Sequence, residues 1–176
     1  MKCTHLILSS LFIILAFTAY AQNEIVFQVN HMMNGESFVL GQTYNVESSQ
    51  VRVDRLEYYL CDFVVTHDGG QETELTDVYI LANAGDNGTY PLGQWNIEEV
   101  EALSFGVGVD ADHNVGIDPS TYPGDHPLAP QFPSMHWGWA SGYRFLAFEG
   151  FAYGAIPIIL YSSSQMLNPK QTVIIP

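Results

Sequence analysis

The densest chemistry in the chain lies at Met135-His136-Trp137-Gly138-Trp139, where a thioether, an imidazole and two indoles are contiguous. Met and His are ligand types suited to copper, the imidazole in either oxidation state and the thioether for Cu(I). The same stretch admits a second reading. Trp137, Trp139, Tyr143 and Phe145 stand at alternate positions, so on one face of a strand they would fill a core. Beyond the first 21 residues the other histidines are His31, followed by Met32 and Met33, His67 at a turn, and His113 and His126 in a long loop. No pair has zinc-site spacing, and each alone reads as a solvated loop residue unless the fold brings several together. His31 is the second candidate ligand, because two methionines follow it and a strand end can meet a distant loop.

A different ligand set occurs at Asp110, Asp112, Asn114 and Asp118, where oxygen-bearing side chains recur at alternate positions as they do in calcium loops. The match is partial: Gly116 falls one residue late for an EF-hand loop and no Glu occupies the twelfth position, so turn-forming Asp and Asn is the competing reading. His126, Asp110, Asp112, Asn114 and Asp118 are therefore secondary metal candidates. Enzymatic signatures are missing; there is no G-x-S-x-G, P-loop or H-E-x-x-H, and nothing singles out an acid/base pair. The reading is of a protein without catalytic turnover.

Nineteen Asp and Glu against five Lys and Arg give a net charge of −14. Such a field repels phosphate, which argues against nucleic acid and anionic membranes as partners. Met1-Lys2, the apolar run from Leu6 to Phe17 and the small-residue site Ala19-Tyr20-Ala21 form a secretory signal, expected to be cleaved before Gln22. The apolar run is shorter than the roughly 20 residues a membrane span needs, so no membrane span is expected and the protein should be periplasmic or secreted. Cleavage removes Cys3 and leaves Cys61 alone, which excludes an intramolecular disulfide and reads as a small buried hydrophobe. About 155 residues then remain, enough for one domain with its own core.

Short runs rich in Val, Ile, Tyr and Phe recur between turn clusters, at Glu24–Val29, Arg52–Val65, Val78–Leu81, Ser104–Val109 and Gly142–Phe148. Asn34-Gly35, Asp68-Gly69-Gly70 and Asn87-Gly88 are turn signals between them. The pattern predicts an all-β antiparallel sandwich. Gly93–Ala102 is predicted to be its one short helix, with Asn96 as cap, Glu98 and Glu99 at its positive end, and Ile97, Val100 and Leu103 as an apolar stripe. Residues 110–134, rich in Pro, Gly, Asp and His, read as a long ordered loop that presents side chains.

Several segments together resemble the copper-binding MbnP-like family, relatives of methanobactin-associated copper proteins. They are Phe27–Gly35, the Leu56–Phe63 stretch with its Tyr58-Tyr59 pair, Phe105–Asp110, His126-Pro127-Leu128, and Met135–Tyr143 through Glu149-Gly150, in order along the chain. The resemblance implies an extracytoplasmic β-sandwich over residues 22–150 that binds copper for scavenging, storage or chaperoning. It further implies that, in some members, a partner di-haem peroxidase-like enzyme oxidises a tryptophan to kynurenine. Carried over by position, His31, His136 and one of Trp137 or Trp139 are the site residues, with Met135 beside them. A kynurenine amine and imidazoles form a nitrogen-rich site suited to copper. Members continue past the Glu-Gly through further strands that bring another histidine, whereas residues 151–176 lose that pattern here. A truncated end is therefore expected, and with it an exposed sheet edge.

Two rival functions follow from the residues alone. A metal-free carbohydrate-binding or adhesion module would use Trp137, Trp139 and Tyr143 as a stacking platform. A calcium-stabilised structural domain would use the Asp110–Asp118 series.

Overall fold

The computed structural model describes residues 22–47, 49–152, 156–162 and 171–174; the segment expected to be a secretory signal lies outside them. The chain opens with β1 (Asn23–Gln28), β2 (Met32–Met33), β3 (Glu36–Ser37) and β4 (Thr43–Val46), and then β5 (Ser49–His67) runs the length of the fold. Next come β6 (Gln71–Leu75), β7 (Ile80–Asn83), β8 (Thr89–Trp95) and β9 (Val100–Val107), then a single helical turn α1 (Ala111–Asn114). The remaining strands are β10 (His136–Gly138), β11 (Gly142–Tyr143), β12 (Leu146–Ala152), β13 (Ile156–Ser162) and β14 (Gln171–Ile174).

Two of the three predicted turns join paired strands, for the backbone reason that their residues suggested, whereas Asn87-Gly88 lies between two strands that do not pair. Asn34 and Gly35 both take positive φ, 55° and 82°, and join β2 to β3. That is the primed-turn geometry whose twist matches a hairpin. Asp68, Gly69 and Gly70, all at positive φ, join β5 to β6.

β5 is the axis of an eight-stranded antiparallel sheet. β12 and β7 both pair with Glu57 and Tyr58, so they lie on its opposite edges; β9 and β7 likewise share Leu60. A bulge at Cys61–Val64, with Asp62 at φ 52°, shifts which face each side chain meets. Before it, Tyr58 and Leu60 face one side and Tyr59 the other; after it, Phe63 and Val65 join the side of Leu60.

Each face of this sheet has its own core. On one, Leu60, Phe63, Val65, Leu75, Ile80 and Leu103 pack under the β1–β8 ribbon, whose Ile25, Phe27, Tyr90 and Leu92 turn inward. Ile25, Phe27 and Val29 alternate inward, as their spacing predicts. On the other face the long segment after β9 folds back and seats Val109, Leu128, Met135, Tyr143 and Phe145 against Tyr59 and Ala147. These two covering layers on one sheet make the sandwich. A Cβ at Gly108, which has φ 131°, would overlap the Phe145 ring, so glycine lets the chain leave β9 this closely.

The helix expected over Gly93–Ala102 is corrected: that segment is the end of β8, a turn and the start of β9. An isolated helix of this length is marginal in water, and tertiary partners take its backbone donors instead. The Glu98 and Glu99 amides donate to the Asp68 carboxylate, at 3.1 and 2.7 Å, and residues 100–107 pair along β5. Ile97 and Leu103 are buried, but in a sheet core. Among the described residues the one α-helical turn is α1, inside the stretch that reads as loop.

Candidate functional site

β10 and β11 form a small hairpin in which His136 pairs with Tyr143. The His136 ring lies edge-on to Tyr143, centroids 4.8 Å apart, and its Nε2 is buried with no hydrogen-bond partner. Burial holds the His136 pKa below the usual imidazole value, against an opposing pull from Asp118. Met135 is fully buried in the core beneath.

The expectation that Trp137 and Trp139 alternate into a core with Tyr143 and Phe145 is corrected. Trp137 is 49% exposed and Trp139 74%, while Tyr143 and Phe145 are buried. The period breaks because the chain turns between them: the Ser141 amide donates to Gly138 O at 2.9 Å, and Gly142 takes φ 70°. Buried Asn114 fixes that turn by accepting the Tyr143 amide at 2.7 Å. The Arg144 guanidinium covers Trp137, 4.1 Å from the ring centroid.

His31 sits elsewhere. Its Nε2 is 2.9 Å from the Tyr58 hydroxyl, its ring packs edge-on to Tyr58, and burial lowers its pKa. Tyr58 belongs to the core under β1–β8, whereas Tyr59, the next residue of β5, meets Tyr143 on the opposite face. The fold therefore places the two leading histidines on opposite faces of one sheet and does not bring them together.

Three histidines do share a face. His113 and His126 flank the Tyr79 ring, at centroid distances of 5.3 and 5.8 Å, and His126 stacks on Tyr122 at 4.6 Å. His136 is tied to them through Tyr143, whose hydroxyl donates to Leu128 O, and through the Leu128 amide, which donates to His126 Nδ1 at 3.1 Å. Their ring nitrogens differ in readiness for a metal. His113 Nδ1 lies 2.8 Å from the Asp110 carboxylate, which only accepts, so the neutral ring carries its proton on Nδ1 and has its lone pair on Nε2. His126 Nδ1 is the acceptor from Leu128, so its neutral form is protonated at Nε2 and must give up that bond to ligate there.

Asp110 anchors this group. Burial pushes its carboxyl pKa up, but hydrogen bonds from Tyr79 and His113 outweigh that and hold it below the usual range. The same carboxylate caps α1 by accepting the Asp112 and His113 amides. Beside it opens a cleft of about 250 Å³ whose lining includes Asp62, Glu74, Asp77, Tyr79, Asp110 and His113. Asp118 caps the following 3₁₀ turn, Asn114 is spent on Tyr143, and Asp112 is exposed, so local backbone bonds occupy much of the Asp110–Asp118 series. Among the described residues no group of three or more His, Cys, Asp or Glu is arranged to hold a metal. Tyr79, His113 and Tyr122 were not legible as partners in the sequence, since no spacing signals a contact between β7 and a distant loop.

Two further residues differ in outcome. Cys61 is buried as expected, with its thiol pKa pushed up to about 12 by burial and by Asp62. His67, expected to be solvated, is buried at the end of β5 and held between Asp68 and Thr73, each at 2.8 Å.

No helix among the described residues is long and apolar enough to cross a membrane. No curated protein matches the chain. Among solved structures, MbnP from Methylosinus trichosporium shares the fold with a TM-score of 0.60 at 15% identity, over 87% of this chain and 68% of that one. The family model for MbnP matches residues 22–156, most of the sequence, and the chain therefore belongs to the MbnP family.

Proposed function

We propose that this protein binds copper outside the cytoplasm, as a scavenger, store or chaperone without catalytic turnover. The observation that carries the reading is His136 Nε2, a buried imidazole nitrogen without a partner, in a chain of the MbnP family. A buried polar atom left unpaired costs about 1–3 kcal/mol, which a ligand to its lone pair would offset. The residue types next to it are ones copper accepts. Met135 precedes it, the indoles of Trp137 and Trp139 are accessible, and Tyr143 orients the ring. His113 offers a second nitrogen on the same face, its tautomer set by Asp110. His31 belongs to the opposite face, where Nε2–H donation to Tyr58 would leave Nδ1 as the donor atom for a separate ion.

Exposure of both indoles also suits oxidation of one of them to kynurenine by a di-haem peroxidase-like partner, whose amine would add a nitrogen ligand. Export through cleavage before Gln22 completes this reading. Copper content and intact mass of the protein purified from its native host test the three parts at once. Copper near one per chain supports the reading, and a net gain of about 4 Da on the Trp137–Trp139 peptide, from one added oxygen and one lost carbon, identifies kynurenine. Absence of copper after loading sinks it.

A second reading is favoured by one observation: Trp139 and Phe132 are largely exposed on the covering loop. Such rings suit a metal-free stacking platform for carbohydrate or an adhesion partner. Polysaccharide binding that is indifferent to copper would select it.

A further inference from the structure

We propose that Asn87 is a site of spontaneous covalent modification: Asn87 and Gly88 close to a succinimide that water opens to aspartate and isoaspartate, which weakens the seam between β1 and β8. The chemistry needs only water. The Gly88 nitrogen attacks Asn87 Cγ, a C–N bond forms, the Cγ–Nδ2 bond breaks, and Nδ2 leaves as ammonia with the Gly88 amide proton. Water then cleaves either imide C–N bond. Cleavage at the main-chain carbonyl leaves isoaspartate, whose backbone runs through Cβ and Cγ.

The chain holds two Asn-Gly pairs, Asn34-Gly35 and Asn87-Gly88, and the fold treats them differently. Asn34 Nδ2, the group that would leave, donates to Asn45 O at 2.7 Å, which ties the carboxamide to β4. Asn87 is exposed, and among the described residues its Nδ2 has no partner. Its Oδ1 instead accepts the Thr89 amide at 3.0 Å. This bond folds the carboxamide back over the Gly88 peptide. It also donates to the oxygen on which negative charge develops when Cγ is attacked. The Gly88 amide donates to no group among the described residues, so its nitrogen is free to act as the nucleophile.

The fold requires glycine at position 88. Its φ is 68°, and a Cβ there would lie 2.1 Å from Val29 O, so no side chain can stand beside the reacting Cγ and slow ring closure. Gly88 is buried by that contact, but the attack is intramolecular, and ammonia leaves and water enters at exposed Asn87. The same contact gives the modification a structural effect. Val29 N donates to Gly88 O at 2.7 Å at the end of the β1–β8 ladder, and an added main-chain methylene displaces that oxygen. The ribbon covers one of the two cores, and β1 leads to His31.

The test is incubation of the mature chain with chelator in warm, mildly alkaline buffer, with peptide mapping over time, for wild type and Asn87→Gln, native and in urea. Expected in the native wild type is a gain of about 1 Da, amide to acid, on the peptide holding Asn87, with isoaspartate shown by methylation with an isoaspartyl methyltransferase. It should accumulate at least about tenfold faster than at Asn34, a barrier difference of the size of one hydrogen bond. Urea removes the bonds at both turns, so there the two rates should converge. Amide exchange at Val29 should quicken as product accumulates and stay constant in Asn87→Gln, whose longer side chain closes a ring far more slowly. Native conversion at Asn34 as fast as at Asn87, a ratio unchanged by urea, or a Val29 amide indifferent to conversion would each overturn the proposal. Because chelator removes metal, failure here leaves the copper reading intact.

Discussion

Tyr58 and Tyr59 stand next to each other in β5 and serve two histidines on opposite faces of the sheet. The Tyr58 hydroxyl is 2.9 Å from His31 Nε2, while the Tyr59 ring meets Tyr143 at 5.4 Å, and Tyr143 in turn meets His136 at 4.8 Å. A strand alternates its side chains, so adjacent tyrosines are bound to separate these imidazoles.

The first prediction follows from that separation. His136→Ala should weaken copper binding at least about tenfold, the lower range for disturbing a metal site. His31→Ala should leave that site unchanged, and His67→Ala should affect stability but not affinity, because its nitrogens are taken by Asp68 and Thr73. Competition titration with a copper chelator reads all three, and equal losses across them would remove the assignment.

Acid should act on the histidines in a definite direction. Burial lowers the pKa of His31, His126 and His136, so the unfolded chain binds more protons than the folded one as pH falls through the range near 6.5. Their contribution to stability is present above that value and is lost as pH drops through the folded pKa values. Urea midpoints at pH 7.5 and 5.5 should show the loss. Copper affinity should fall over the same window as protons compete for the ring nitrogens.

Replacing Asp110 by Ala removes a helix cap and a partly buried partner of Tyr79 and His113. A loss of about 1–2 kcal/mol is expected, in the range measured for caps. Because the same carboxylate fixes the His113 tautomer, the variant should also disturb any metal bound at His113 Nε2, whereas a pure cap would not. Denaturation and copper titration of the one protein separate the two.

Arg55, buried on β5, bridges Glu57 at 2.7 Å and Glu149 at 3.0 Å and donates to Pro133 O at 3.2 Å. Burial alone would lower its pKa, but the two carboxylates more than compensate. Arg55→Met leaves carboxylates facing each other in a partly buried site and frees the chain leading to Met135. About 3 kcal/mol of stability should be lost, the lower part of the range for breaking a buried pair because Glu149 is partly exposed. Urea titration gives the value, and a change under about 1 kcal/mol would show that the pair breaks even with solvent.

Cys61 should be inert to a thiol reagent at neutral pH in the native state and react stoichiometrically in denaturant. Its thiol is buried and its pKa raised to about 12, so almost no thiolate is present. Rapid labelling of the native protein would show an opening of the sheet near the Asp62 bulge.

The amino-acid sequence by itself determined the local features. Alternation of Ile25, Phe27 and Val29, the long apolar run of β5, the Asn34-Gly35 turn and the buried Cys61 all follow from side-chain period and backbone preference, which are properties of neighbours in the chain. The sandwich class and the segment bearing Met135 to Trp139 were legible on the same ground. Tertiary structure decided the rest. Asp68 and β5 draw residues 98–107 into a strand that a helical stripe would also fit, and the turn that Asn114 supports exposes Trp137 and Trp139 in spite of their spacing. The bulge at Asp62 and the fold-back after β9 bring His113, His126 and His136 to one face and leave His31 on the other. Those outcomes depend on contacts between residues far apart in the chain, and no local period encodes them.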